Sequence, residues 1–589
     1  MEMVNITIDG QSVQVPEGST VLEAARMAGI KIPTLCYLKD INKIGACRVC
    51  LVEIERARGL QPSCVYPVAE GMVVRTNTPA IREARKAVVE LILSNHPMEC
   101  LTCERNTNCE LQALAKQFGI TDIRFKGENT EFPKDTSSPS IVRNPDKCVL
   151  CRRCVSVCNK IQGVGVLGTT DRGFDTIVAP PFHHLLSEVD CVYCGQCVNV
   201  CPVGALTEKD DTQMVWDAIN DPEKIVVVQT APAVRAALGE EFGYPVGTSV
   251  TGKMVAALKR LGFDKVFDTD FTADLTIMEE GNELLERVKN GGKLPLITSC
   301  SPGWVKFCEH NYPEFLENLS TAKSPQQMFG ALAKTYYAQK LGVDPAKIFS
   351  VSIMPCTAKK FERQRPELRD SGFADVDAVL TTRELAKMIK VAGMDFQALL
   401  EEKHDEPMGI STGAGLLFGA TGGVMEAALR TVYEVVTGKT LEDLDFVAVR
   451  GLEGVKEASV DLPPLGTVKV AIAHGLGNAR KLLDKVKAGE AEYQFIEIMG
   501  CPGGCVGGGG QPYVSGPERM DLAEDYRALR AQAIYQEDAG MPMRKSHENP
   551  AVQALYEEYL VKPLGEKSHH LLHTSYTPRV KYQALAPKK

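Results

Sequence analysis

The 589-residue chain reads as a multidomain protein of α+β and α/β class built around metal-bound cysteines. Three observations carry that reading. Its 20 cysteines recur at short repeated gaps up to Cys201 and reappear in later loops. Near the N-terminus, residues 4–8 and 12–15 alternate apolar and polar side chains around Asp9-Gly10, a hairpin signal. From Pro222 onward, apolar strand-like runs alternate with helix-like ones, the pattern of a mostly parallel sheet buried on both faces.

Composition narrows the function. A net charge of −9 argues against nucleic-acid binding. No apolar run approaches the roughly 20 residues that span a bilayer. The start Met1-Glu2-Met3-Val4-Asn5 lacks a secretory signal, so a cytoplasmic protein is expected. A disulfide scaffold would be small and secreted. Gaps of the type C-x2-C-x2-C-x3-C are those of reduced metal ligands.

Residues 1–78 hold the hairpin, a helix on Val21, Leu22, Ala25 and Ala28 that Ser19 would cap, and Cys36, Cys47, Cys50 and Cys64. This set resembles the β-grasp ferredoxin fold around a 2Fe–2S cluster, in the wider-gap variant of respiratory complex I and its relatives. A four-cysteine zinc site would use the same ligands. In residues 79–125 a helix over 80–93, apolar at Ile81, Ala84, Val88, Leu91 and Ile92, leads to His96, Cys100, Cys103 and Cys109. Three thiols need a fourth donor, and imidazole can replace a thiolate. The arrangement resembles the 4Fe–4S site with one histidine and three cysteines in complex I-like proteins, with zinc as the alternative. Residues 126–140, with Pro133 and Ser137-Ser138-Pro139, read as a linker. In residues 141–209, Cys148, Cys151, Cys154 and Cys158 are followed by Cys191, Cys194, Cys197 and Cys201, the bacterial two-cluster ferredoxin pattern. The fourth cysteine of each run then serves the other cluster, so Cys201 joins the first three and Cys158 the second three.

Residues 210–520 are the α/β part. Strands are expected at 225–228, 265–267, 294–297, 348–353, 378–380 and 495–498. Three of them run into cysteine loops carrying Cys300, Cys356, and Cys501 with Cys505. Ligands of open α/β sheets gather beyond strand ends. Gly413-Ala414-Gly415, the glycines at 419–423 and Gly252-Lys253 lack Walker spacing and are expected to pack around the cofactor. Unpaired Cys308 reads as a small buried residue.

The three loops read Thr298-Ser299-Cys300-Ser301-Pro302-Gly303-Trp304, Met354-Pro355-Cys356 with Lys359 and Glu362, and Glu497-x-Met499-Gly500-Cys501 with Gly504-Cys505 and Gly508-Gly509-Gly510-x-Pro512. They resemble the signatures of the iron-only (FeFe) hydrogenases, and the likeness runs the length of the chain. The resemblance implies an H-cluster: a 4Fe–4S cubane joined through one thiolate to a di-iron unit with carbonyl, cyanide and a bridging dithiolate amine. It makes Cys505 the bridging thiolate and gives Lys359 a cyanide to hold. It sets Met354, Met499, Pro232 and Gln326 against the cofactor, and makes Glu280, Glu283 and Ser320 a proton relay. It also implies one 2Fe–2S and three 4Fe–4S clusters in the N-terminal units.

The family's first signature usually has two adjacent cysteines, a relay and a cubane ligand. Here Cys300 falls on the relay position and Ser301 on the ligand position. Because clusters are held by thiolates, Cys300 is expected to ligate, with either Ser301 in the relay or the relay rewired. Residues 521–589 resemble the family's small-subunit segment, a helical tail; its His569, His570 and His573 read as packing or surface residues rather than a metal site.

The resemblance implies interconversion of H2 with protons and electrons, relayed to ferredoxin or to flavin-containing NAD(P) subunits. A complex I-like electron-transfer subunit would account for residues 1–209 alone, and an H2-sensing relative would share the loops.

Overall fold

The computed structural model describes residues 2–127, 129, 131–463 and 466–582. Strands Met3–Ile8 and Gln11–Pro16 pair antiparallel with Ile6 opposite Val13. Between them Asp9 and Gly10 take φ of 48° and 84°, the positive values that a two-residue hairpin turn requires. Met3–Ile8 lies parallel to Val73–Arg75, and the latter runs antiparallel to Leu51–Ile54, which closes a five-stranded sheet. The helix Val21–Met27 is capped by Thr20 rather than Ser19. Only Thr20 has a glutamate three residues on: Thr20 Oγ1 accepts from Glu23 N, and Glu23 Oε2 accepts from Thr20 N at 2.8 Å.

The next helix, Pro79–Leu93, starts at the Thr78 cap. Its buried face is Ile81, Arg85, Val89, Glu90 and Leu93, leaving the expected Leu91 54% exposed. Polar partners explain the shift. Arg85 donates to Leu51 O at 2.6 Å and Glu90 accepts from Arg124 at 2.6 Å, so both charges are satisfied inside. The expected linker is tied down at its end, where Asp135 and Arg143 exchange main-chain hydrogen bonds of 2.8 and 3.0 Å. Residues 128 and 130 of that stretch, and 583–589 of the tail, lie outside the described residues. Strand pairs Ile141–Arg143 with Leu206–Glu208 and Gly168–Thr170 with Ile177–Ala179 frame the next cysteine unit.

The α/β part contains two sheets of four strands. In the first, Lys265–Asp268, Ile225–Thr230, Ile348–Met354 and Ala378–Thr381 are all parallel. In the second, Leu296–Ile297, Phe495–Met499 and Gly466–His474 are parallel, and Val455–Leu462 adds an antiparallel edge that the apolar pattern did not reveal. That edge alternates buried and exposed residues because only one face is covered. The C-terminal helices return onto this unit: Ile534 packs with Leu416 and Leu417, and Leu555 and Leu572 with Phe271 and Met328. Among the described residues no helix is long and apolar enough to cross a membrane.

Candidate active site

The cysteine loops leave the C-terminal ends of parallel strands from both sheets. Leu296–Ile297 and Phe495–Met499 are neighbours in one sheet, and Ile348–Met354 lies in the other. Their tips meet at one cavity of about 70 Å3, lined by Cys300, Ser301, Cys356, Cys501 and Cys505 together with Lys359, Met354, Met499, Pro232 and Gln326. Hydrogen bonds to the main chain brace each loop. Trp304 Nε1 donates to Thr298 O at 3.0 Å, and Ile498 N donates to Thr298 Oγ1 at 3.1 Å. Glu497, fully buried, accepts from Gly422 N at 2.6 Å and Met425 N at 2.8 Å, which pins the Cys501 strand to a helix start. His474 Nδ1 accepts from Gly503 N at 3.0 Å.

Glycine is forced where the Cys501–Cys505 loop meets its neighbours. A Cβ on Gly504 would stand 2.5 Å from Thr421 N, and one on Gly508 2.1 Å from Pro355 O. Gly504 also takes φ 91°. Gly413 and Gly415 face Asp538 and Asp270 rather than the cavity, whereas the run at 419–423 packs against the loop through Ala420 and Thr421. Gly252-Lys253 does not: Gly252 faces Glu401, and Lys253 Nζ donates to Gln397 O at 2.8 Å and Leu399 O at 2.7 Å. Those contacts belong to a helix start outside the cysteine cavity.

The residues present suit a large soft cofactor. All four cysteines of the cavity are free thiols, and burial pushes the Cys505 thiol up to about 12, so without a metal it stays protonated. Gln326 Oε1 is buried with no partner, and much of the remaining wall is apolar, including methionine, proline and Phe418. Lys359 Nζ is aimed by Glu362, at 2.9 and 3.1 Å, and by Cys300 O at 3.1 Å.

The adjacent pair diverges. Cys300 has a thiol raised first by burial and then by the nearby Glu280. Ser301 Oγ accepts from Gly500 N at 3.1 Å, one residue before Cys501. Glu280 and Glu283 lie on the helix Thr269–Asn290, and burial lifts the Glu280 carboxyl to about 8. Ser320 Oγ donates to Glu283 Oε2 at 3.0 Å and also contacts Glu280. Glu283 Oε1 accepts from Arg287 at 2.6 Å. Arg287, which sequence reasoning missed, is the fourth residue on from Glu283 and could have been found by its i,i+4 spacing.

The other cysteines gather into units. Cys148, Cys151, Cys154 and Cys201 line one small cavity. Burial raises the Cys197 thiol, and the neighbouring thiols of Cys194, Cys191 and Cys158 raise it further. Cys36 and Cys47 exchange N–H···S contacts of 3.4 and 3.5 Å, and Cys64 lies against both Cys36 and Cys50. Upstream of Cys100, Cys103 and Cys109 in the sequence, the His96 Nδ1 is buried without a partner, and burial lowers its pKa to about 4, leaving a neutral imidazole. Single residues tie the units together. Asn42 Nδ2 donates to Cys36 O at 2.7 Å and Cys151 O at 3.1 Å; Arg105 Nη1 donates to Cys201 O at 3.1 Å; Gln196 Nε2 donates to Gly507 O at 2.8 Å. Cys308 is fully buried. Of the three tail histidines, His569 and His570 are exposed and His573 is buried.

Comparison with known proteins covers nearly the whole chain. Residues 224–509 match the iron only hydrogenase large subunit, C-terminal domain, and 524–579 the iron hydrogenase small subunit. Residues 1–79 match a 2Fe-2S iron-sulfur cluster binding domain. Residues 85–124 match the NADH-ubiquinone oxidoreductase-G iron-sulfur binding region, and 138–207 the ferredoxin-like domain of NADH-quinone oxidoreductase subunit 3. The NADP-reducing hydrogenase subunit HndD of Solidesulfovibrio fructosivorans is 55% identical over 98% of this chain and 100% of its own. Iron hydrogenase 1 of Clostridium pasteurianum is 42% identical over the same shares. Among solved structures, [FeFe]-hydrogenase HydA1 from Chlamydomonas reinhardtii is 42% identical with a TM-score of 0.56, covering 63% of this chain and 99% of that one.

Proposed function

The chain belongs to the iron-only (FeFe) hydrogenase family, and on that premise we propose how its own residues serve the oxidation of H2 or reduction of protons at the H-cluster. The observation that carries the reading is the single cavity where loops from two sheets bring their cysteines together. When bound, the H-cluster supplies an open iron and a pendant amine base for heterolytic chemistry on H2. Cys356, Cys501 and Cys505 would hold its cubane, Cys505 taking the place that the family resemblance gives to the thiolate shared with the di-iron unit. Lys359, oriented by Glu362, would hold a cyanide through a charge-assisted hydrogen bond. Met354, Met499 and Pro232 exclude water, and Gln326 offers its unpartnered oxygen.

The fourth cubane position has two readings. A thiolate is the usual ligand, which gives the corner to Cys300 and the relay to Ser301. The neighbours of the pair favour the reverse: Cys300 faces Glu280, and Ser301 Oγ meets the Cys501 loop. Iron analysis of Cys300→Ala and Ser301→Ala separates them. If Ser301→Ala loses the cubane and Cys300→Ala keeps it, Ser301 is the ligand.

Protons leave the dry pocket through Glu280, Ser320 and Glu283, and Arg287, a donor with no acceptor, orients the Glu283 carboxylate. One 2Fe–2S cluster, which Cys36, Cys47, Cys50 and Cys64 would hold, and three 4Fe–4S clusters would supply the electron path. The first of these three uses His96, Cys100, Cys103 and Cys109, where the free imidazole nitrogen suits ligation. The other two use Cys148, Cys151, Cys154 and Cys201, and Cys191, Cys194, Cys197 and Cys158. The five units extend over residues 1–78, 79–125, 141–209, 210–520 and 521–589: a β-grasp ferredoxin, a helical cluster domain, a two-cluster ferredoxin, the catalytic domain and the small-subunit-like tail. The electron partner is a flavin-containing NADP subunit or a ferredoxin in the cytoplasm, a choice supported by the NADP-reducing relative. A complex I-like subunit without chemistry would leave the cysteine cavity unused. H2 evolution from reduced viologen by the matured chain tests the activity. Sizing of the native complex tests the partner: a lone chain that reduces NADP unaided contradicts it.

A further inference from the structure

The tail does more than cover the α/β unit. Lys323 N donates to Leu572 O at 2.7 Å and Thr574 N to Thr321 O at 2.8 Å, forming an antiparallel bridge of Ala322 with His573. His573 then spans two walls. Its Nδ1 meets Thr321 Oγ1 at 2.8 Å and its Nε2 meets Glu279 Oε2 at 3.2 Å. The ring therefore bridges the threonine hydroxyl on one side and the glutamate carboxyl on the other. Glu279 is fully buried and takes further bonds from the tail, from Tyr556 Oη at 2.6 Å and Leu564 N at 2.9 Å. Farther along, Tyr576 Oη donates to Ser320 O at 2.8 Å.

Each anchor is one residue from the relay or on it. Glu279 precedes Glu280 on the helix Thr269–Asn290. Thr321 follows Ser320, and its N–H donates to Glu283 Oε2 at 3.1 Å. The 3.0 Å contact from Ser320 Oγ to Glu283 therefore spans two separate pieces of chain, the helix and the 320–323 segment. The tail is hydrogen-bonded to both pieces. Proton transfer needs heavy atoms at about 2.6–3.2 Å, so their relative position sets the rate.

We propose that the C-terminal segment is a positioning element for proton transfer: through His573 and Tyr576 it holds Ser320 within hydrogen-bond reach of Glu280 and Glu283. This rests on the reading of those three residues as the relay. The test uses the matured full-length chain with His573→Leu, His573→Gln and Tyr576→Phe, and Glu283→Gln as reference. H2 evolution is measured against pH in H2O and D2O, beside the infrared bands of the H-cluster. His573→Leu should keep the bands, lose about tenfold in rate, and show a larger solvent isotope effect with an unchanged KM for the electron donor. His573→Gln, which retains a donor and an acceptor, should recover most of the rate. Tail variants with wild-type rate and isotope effect, beside an inactive Glu283→Gln, would reduce the segment to packing and overturn the proposal. Loss of the infrared bands in every tail variant would overturn it too, because the segment would then hold the fold of the site. An active Glu283→Gln would instead remove the relay itself.

Discussion

The electron-carrying units and the catalytic pocket use the same ligand, cysteine, in opposite ways. In the units, most thiols sit a few positions apart on one loop, as in Cys148, Cys151 and Cys154, and a single one, Cys201, joins them from farther along the chain. In the pocket, Cys300, Cys356 and Cys501 come from strands of two sheets. A local loop needs only turns to present its thiols. A pocket built from distant loops depends on strand register, on Glu497 anchoring one loop and on glycines that admit close backbone approach. The transported particles differ as well. Asn42 holds the carbonyls of Cys36 and Cys151, and Arg105 that of Cys201, contacts that tie the cysteine loops to one another. The proton side needs an unbroken run of side-chain hydrogen bonds, so a single missing oxygen interrupts it.

The largest effect separates the two regions outright. Cys505→Ala should lower H2 evolution on the order of 10^4-fold or more, while the electron paramagnetic resonance signals of the N-terminal clusters persist. Loss of those signals as well would break the distinction between local and assembled sites. Next, Glu283→Gln should keep every cluster and lose about 10^2–10^4-fold in turnover, read by iron content beside viologen-driven H2 evolution. Unchanged turnover would take it out of the path.

A pH effect sharpens the proton side. Burial raises the Glu280 carboxyl from 4.5 to about 8. Between those values the folded protein keeps a proton that the unfolded chain releases, so this group makes native stability fall as pH rises across the interval. Melting curves of Glu280→Gln against pH should show a shallower fall. H2 evolution, which needs the neutral acid, should drop as pH passes about 8. Smaller still, Gln196→Leu removes the bond to Gly507 O and should cost about 1 kcal/mol of stability, checked by denaturant titration.

Legibility in the sequence follows the same division. The hairpin at Asp9-Gly10, the cysteine units and the parallel strands entering the loops could be read from spacing and period, since each is a local signal. The split into two sheets, the Val455–Leu462 edge and the buried charges Arg85 and Glu90 could not, because they depend on partners far along the chain. His573 read as one of three similar packing or surface histidines; only the fold reveals that it joins Thr321 to Glu279. Gly252 looked like the other glycine runs, and its neighbour Glu401 gives it a different place.

Infrared spectroscopy of the matured, full-length chain tests the convergence of the cysteine loops most directly. The expected result is a set of carbonyl and cyanide bands that is present in the parent and absent from Cys505→Ala. A fully iron-loaded parent with ferredoxin-type signals and none of those bands would contradict it.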